Sequence, residues 1–298
     1  MSDAQTLQFR RFPQPAAVLE LLKPVTWFPP MWAYLCGVVS SGAALGERWP
    51  ELLLGAALAG PVVCGMSQAA NDWCDRHVDA INEPRRPIPS GRVPPRWALG
   101  LALAMSALAL ALGGLLGPWG FLGVALAVAG AWAYSLEPVR LKRSGLWGPG
   151  LAGLCYEGLP WFTGAAVMAA AAPDGRVVAI AALYALGAHG IMTINDFKAI
   201  EGDRALGIRS LPVVLGPARA ARVLCAVMAA PQLVVVALLL AWGLAWSAAA
   251  VALALAAQAF AMRRMLGDPR GRAPWFNGAG VGPYVLGMMA AALGLGAG

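Results

Sequence analysis

Long apolar runs, broken by short polar and basic segments, set the pattern of this chain. Several runs approach the length of about 20 residues that crosses a hydrocarbon layer as a helix. They are rich in Gly and Pro, which helical bundles tolerate in lipid, and they lack the residue-by-residue alternation of membrane strands. The pattern predicts an all-α polytopic membrane protein with about nine spans, at 24–45, from 52 to the polar stretch at 71, 97–116, 118–135, 151–171, 177–194, 223–240, 244–262 and 276–296. Residues 1–23 are expected to form a cytoplasmic arm with an amphipathic surface helix around 15–22, and 24–298 a single membrane domain. Glu47, Arg48 and Glu51 mark a turn after the first span. No secretory signal peptide is expected, because Arg10, Arg11, Glu20 and Lys23 interrupt the first 23 residues without an apolar core or a small-residue cleavage site.

Composition excludes a water-soluble globule: 59% of the 298 residues are hydrophobic and only 12% are charged. The net charge of +7 does not point to nucleic acid, because 20 of the 22 Lys and Arg residues fall in the arm and in four segments, 76–96, 140–143, 198–222 and 263–272. Cytoplasmic loops carry such an excess, so the N-terminus is expected in the cytoplasm of a bacterial inner or intracytoplasmic membrane and the C-terminus outside. Cys36, Cys64, Cys74, Cys155 and Cys225 show no paired spacing and are read as packing residues.

Two polar stretches follow directly on apolar runs. The first is Asn71-Asp72-Trp73-Cys74-Asp75-Arg76-His77-Val78-Asp79, and the second is Asn195-Asp196-Phe197-Lys198-Ala199-Ile200-Glu201-Gly202-Asp203. Each begins Asn-Asp and has an Asp eight residues after the Asn, a spacing that on a helix puts first and last on one face two turns apart. Carboxylates at the membrane are costly, so two such stretches among only 15 acidic residues mark a functional site. Their place after the second and sixth spans suggests two related halves, with the clusters facing each other across a central cavity. Paired Asp clusters beside Arg and Lys fit Mg²⁺ bridging carboxylates to diphosphate oxygens; zinc would want more His and Cys.

These two stretches, with Asn82-Glu83-Pro84-Arg85-Arg86-Pro87-Ile88-Pro89-Ser90-Gly91 and Tyr134-Ser135, resemble the UbiA superfamily of intramembrane prenyltransferases. Within it, Pro24-Val25-Thr26-Trp27, Tyr156-Glu157-Gly158-Leu159-Pro160 and the stretch 195–204 are most similar to chlorophyll and bacteriochlorophyll synthases. The resemblance is dense from Lys23 to Leu215 and continues beyond only in span pattern. It implies nine helices around a cavity open to the lipid, capped by cytoplasmic loops. It also implies Mg²⁺, a geranylgeranyl or phytyl diphosphate donor, and a bacteriochlorophyllide or chlorophyllide acceptor.

By motif position, Asn71, Asp75, Asp79, Asp196 and Asp203 match the metal-diphosphate ligands, with Asp72 and Asn195 completing the catalytic set. The second motif departs from a fully acidic one, since Ala199 stands where Asp75 does in the first and Lys198 intrudes; Lys198 or Glu201 could contact the diphosphate instead. Further substrate-binding candidates are Lys23, Arg85, Arg86, Tyr134, Ser135, Lys142 and Tyr156, together with His189 as a ligand for the pigment magnesium or a packing residue. Aromatic-ring prenylation, as in quinone biosynthesis, and a secondary transporter are the alternatives.

Overall fold

The computed structural model describes residues 11–46, 48–205 and 207–297. The first ten residues of the expected arm, Arg10 included, and Glu47 of the expected turn lie outside the described residues. Among those described there is no β-strand, only a single parallel bridge between Ser144 and Arg209.

The helices are α1 Pro15–Leu22, α2 Phe28–Ser40, α3 Trp49–Ala57, α4 Gly65–Asn82, α5 Pro95–Leu115, α6 Gly117–Ser135, α7 Trp147–Gly153, α8 Leu159–Ala169, α9 Gly175–Ile194, α10 Ile200–Ala205, α11 Leu211–Leu215, α12 Pro217–Ala241, α13 Ala245–Gly267, α14 Pro269–Ala279 and α15 Val281–Ala297. Two wide π-helical turns splice these into longer rods: Leu58–Cys64 joins α3 to α4, and Leu154–Gly158 joins α7 to α8. Pro61 lies inside the first of them, where the loosened hydrogen-bond ladder accommodates its missing N–H.

Six helices are long and apolar enough to cross a membrane, by length and composition: Trp49–Asn82, Pro95–Leu115, Gly175–Lys198, Pro217–Ala241, Ala245–Gly267 and Pro269–Ala297. The count of nine is therefore not reached on those terms. Helix α2 has 13 residues, not the expected span 24–45, because Pro24–Thr26 forms a separate 3-10 turn and the helix ends at Ser40. Helices α6 and α7–α8 are diluted by Gly, Pro and Trp. The loop expected from Arg76 onward begins only after Asn82, since between Gly65 and Pro84 the sequence holds neither Gly nor Pro to stop the helix.

Large apolar side chains face outward along the rods, including Leu115, Leu126, Leu233, Leu253, Phe260 and Leu286, as a hydrocarbon solvent permits. Inside, small residues let helix backbones meet. A Cβ on Gly37 would strike the Trp161 carbonyl, and one on Gly164 would strike that of Tyr34, so α2 and α8 pack backbone to backbone. Trp161 Nε1 donates to Ser40 Oγ across the same contact at 3.0 Å. Helix α15 packs on the other side of α2, where Trp32 Nε1 donates to the Val285 carbonyl at 2.8 Å. Gln232 donates to Gln258 at 2.7 Å, and Gln258 to the Gly280 carbonyl at 2.8 Å, a buried polar clamp across α12, α13 and the α14–α15 junction.

Gly164→Val is expected to force α2 and α8 apart at a cost of about 1–3 kcal/mol or more. Thermal unfolding in detergent should show a clearly lowered midpoint, whereas Gly100→Ala, in open space, should leave it unchanged.

Candidate active site

Helix α4 presents Asn71, Asp75 and Asp79 at successive four-residue steps, and therefore on one face, with Asp72 turned to its flank. Cations from separate segments converge on these carboxylates. Lys23, at the end of α1, donates to Asp72 Oδ1 at 2.7 Å. Arg86, in the loop after α4, reaches Asp79 Oδ2 at 2.8 Å and Asp72 Oδ1 at 3.5 Å, while Glu83 grips its other edge. Arg140 Nη2 lies 2.8 Å from Asp75 Oδ1, and Lys142 Nζ lies 2.5 Å from Asp75 Oδ2.

Lys23 and Arg140 hold left-handed backbones, with φ of 48° and 33°. Non-glycine residues avoid this region unless their surroundings impose it. Burial pulls the Lys142 ammonium below its ordinary range, and the Asp75 charge opposes that. Arg86 holds the Glu83 carboxyl below the usual carboxylate range.

The second stretch is built differently from the expectation. Helix α9 stops at Ile194, Asn195–Lys198 forms a 3-10 turn, and Ala199 at φ −103° and ψ 3° redirects the chain into α10. Asn195 and Asp203 therefore do not share one helical face. Asp196 and Asp203 act electrostatically on each other, and both act on Tyr134, as Asp75 does. Burial raises Asp203 above the ordinary carboxylate value.

Beneath the carboxylates lies a cavity of about 210 Å³, lined by Ser67, Gln68, Asn71, Tyr134 and Tyr156 among small Ala, Gly and Cys residues. Gln68 Nε2 donates to the Tyr156 hydroxyl at 2.9 Å, and Asn71 Nδ2 to Ser135 Oγ at 3.2 Å.

The structure does not bring every expected residue here. Glu201 is exposed and paired with Arg270 at 2.9 Å. Asn195, Lys198 and Arg85 are exposed, although the Lys198 charge acts on Glu83. His189 is buried with Nε2 3.1 Å from the Leu146 carbonyl, which spends the ring on α7 packing; it does not line the cavity. Arg140 and Gln68 belong to the site but were not among the expected residues. Gln68 could have been found from its position one turn before Asn71.

No group of three or more His, Cys, Asp or Glu side chains among the described residues is poised to hold a metal ion. The carboxylates of the first stretch are instead spent on Lys and Arg, and buried Asp72 Oδ2 has no hydrogen-bond partner. The donors here are hard oxygens, which fits Mg²⁺ held by a few carboxylates with substrate phosphates completing its shell.

Fold and site together are those of an intramembrane prenyltransferase: residues 29–295 match the UbiA prenyltransferase family, and the chain belongs to it. It is 63% identical to the bacteriochlorophyll synthase 33 kDa chain of Cereibacter sphaeroides, over 98% of this chain and 97% of that protein. A solved digeranylgeranylglyceryl phosphate synthase superposes with a TM-score of 0.70 at 21% identity, covering 93% of this chain and 98% of the other. A UbiA homologue from Archaeoglobus fulgidus bound to GPP and Mg²⁺ gives 0.63 at 21% identity, with the same coverage.

Asp72 is 1% exposed and would keep only the longer Arg86 contact at 3.5 Å, so Lys23→Met should cost about 1–3 kcal/mol. Pairing that change with Asp72→Leu should recover much of the loss in thermal unfolding.

Proposed function

We propose that this enzyme esterifies the propionate of a bacteriochlorophyllide, or a chlorophyllide, with geranylgeranyl or phytyl diphosphate and releases diphosphate. The observation that carries the reading is the row of aspartate–cation pairs on α4, one turn on from Asn71, which helps to line a cavity within the bundle. Identity to a bacteriochlorophyll synthase favours the pigment acceptor over an aromatic ring, and nothing specific favours a transporter.

Asn71, Asp75, Asp79, Asp196 and Asp203 would hold Mg²⁺, in keeping with the Mg²⁺ and GPP bound by the A. fulgidus homologue. When bound, the metal neutralises diphosphate oxygens and makes diphosphate a better leaving group. Lys23, Arg86, Arg140 and Lys142 take the remaining phosphate charge, released from their carboxylates as the polyanion enters. Asp72 holds Lys23 and Arg86 in position. The carbon–oxygen bond to diphosphate breaks, its electron pair leaving with diphosphate, and an oxygen of the propionate, ionised at neutral pH, bonds to the allylic cation that results. No general base is needed, because the nucleophile carries no proton. The loop around Arg86 and the apolar cavity walls keep water from capturing the allylic cation as an alcohol. The N-terminus and the cap loops lie in the cytoplasm and the C-terminus outside it.

Purified protein in detergent, with Mg²⁺, geranylgeranyl diphosphate and bacteriochlorophyllide, should form the ester. Asp75→Ala should lower kcat/KM by about 10²–10³ or more, and chelator should abolish turnover until Mg²⁺ is restored. Prenylation of 4-hydroxybenzoate alone, or no turnover by folded protein, would overturn the reading.

A further inference from the structure

A groove of about 490 Å³ lies between the loop after α6 and the short helix α11. It touches the carboxylate site only through Arg140 and shares no lining residue with the cavity below. Its two walls are tied by backbone. The Arg209 N–H donates to the Arg143 carbonyl at 3.3 Å, and the Gly145 N–H donates to the Arg209 carbonyl at 3.0 Å. They meet this closely because Gly145 has no Cβ; one there would stand 2.7 Å from the Arg209 carbonyl oxygen. His189 holds the same loop through the Leu146 carbonyl.

The groove is basic and apolar at once. Arg140, Arg143 and Arg209 line it, and no Asp or Glu does. Glu137, next to the lining, pairs with Arg140 and with Arg143, each at 2.9 Å, while the exposed Arg209 guanidinium has no partner among the described residues. The backbone bridge thus fixes two exposed arginines beside each other. Around them Val139, Leu146 and Val214 are 56%, 62% and 52% exposed, too open to serve as core. Helix α11 runs straight into α12, which is long and apolar enough to cross a membrane, so the groove opens where a span begins. Trp147, also exposed, suits the headgroup level at which aromatic rings collect.

We propose that this groove holds an anionic phospholipid, its phosphate between Arg143 and Arg209 and its acyl chains over Val139, Val214 and Leu215. The arginine fork matches phosphate oxygens, and basic pockets at the ends of spans take acidic headgroups. A soluble acidic peptide would match the arginines and leave the open apolar rim without a partner. The loop that carries Arg143 also carries Arg140 and Lys142, so a lipid bound here braces the turn that grips Asp75. Neither donor nor acceptor is involved, and the site stands whichever acceptor the enzyme uses.

The test reads the melting temperature of the full chain in neutral detergent, titrated with phosphatidylglycerol, phosphatidylcholine or inorganic phosphate, without prenyl donor or pigment. Phosphatidylglycerol should raise the midpoint and the other two should not. Arg143→Gln with Arg209→Gln should weaken phosphatidylglycerol at least about tenfold. Arg263→Gln with Arg272→Gln removes the same charge from exposed positions outside the groove and should leave it unchanged. Val214→Ser should weaken phosphatidylglycerol as well. Equal effects of the two phospholipids, or equal losses in the two arginine pairs, would overturn the proposal by reducing it to general surface attraction. A midpoint raised as far by inorganic phosphate, or binding that needs the arginines yet ignores Val214→Ser, would overturn the lipid as occupant and favour a soluble acidic partner.

Discussion

Carboxylates at the end of a membrane span must be met by positive charge, and in this enzyme the cations come from three separate pieces of chain. The end of α1 supplies Lys23, the loop after α4 supplies Arg86, and the turn after α6 supplies Arg140 and Lys142. The cap is therefore assembled around α4, and two of its cations, Lys23 and Arg140, stand on left-handed backbones. Partly buried ion pairs of this kind add little net stability but fix geometry. Long flexible side chains are thus ordered before any polyanion arrives, and exchanging a carboxylate for a phosphate does not require ordering them again.

The cavity below depends on the two π-helical turns. Both contribute walls, through Ala59, Val63 and Cys64 from one and Cys155 and Tyr156 from the other. Each interrupts the regular ladder in the middle of a rod, where the register of side chains decides what faces inward. Gln68 and Tyr156 pair across this space and place hydrogen-bonding groups among otherwise apolar walls.

The first acidic stretch was legible in the sequence because its information is local: steps of four on an uninterrupted helix leave one geometry open. The second carries the same end-to-end spacing but breaks at Asn195, and Lys198-Ala199, good helix formers, give no sign of it. That turn packs instead on α14 and α11, elements that come later in the chain. Arg140 was hidden for another reason, since a basic loop satisfies the rule for cytoplasmic charge whatever else it does. His189 has its partner 43 residues away, which no local pattern records. The all-helical membrane class was plain from composition. The division into spans was less so, because α2 is too short and α6 too rich in Gly and Trp to carry the usual signal.

The contact between α2 and α15 sets an order of events during biogenesis. The bundle closes as a ring in which an early membrane helix needs the last one as its neighbour, and Trp32 finds its acceptor only in Val285. A chain still inserting thus holds an open arc, and the wall is sealed only when Val281–Ala297 slides in beside α2. Loss of α15 would spare the acidic motifs and still leave the vessel unsealed.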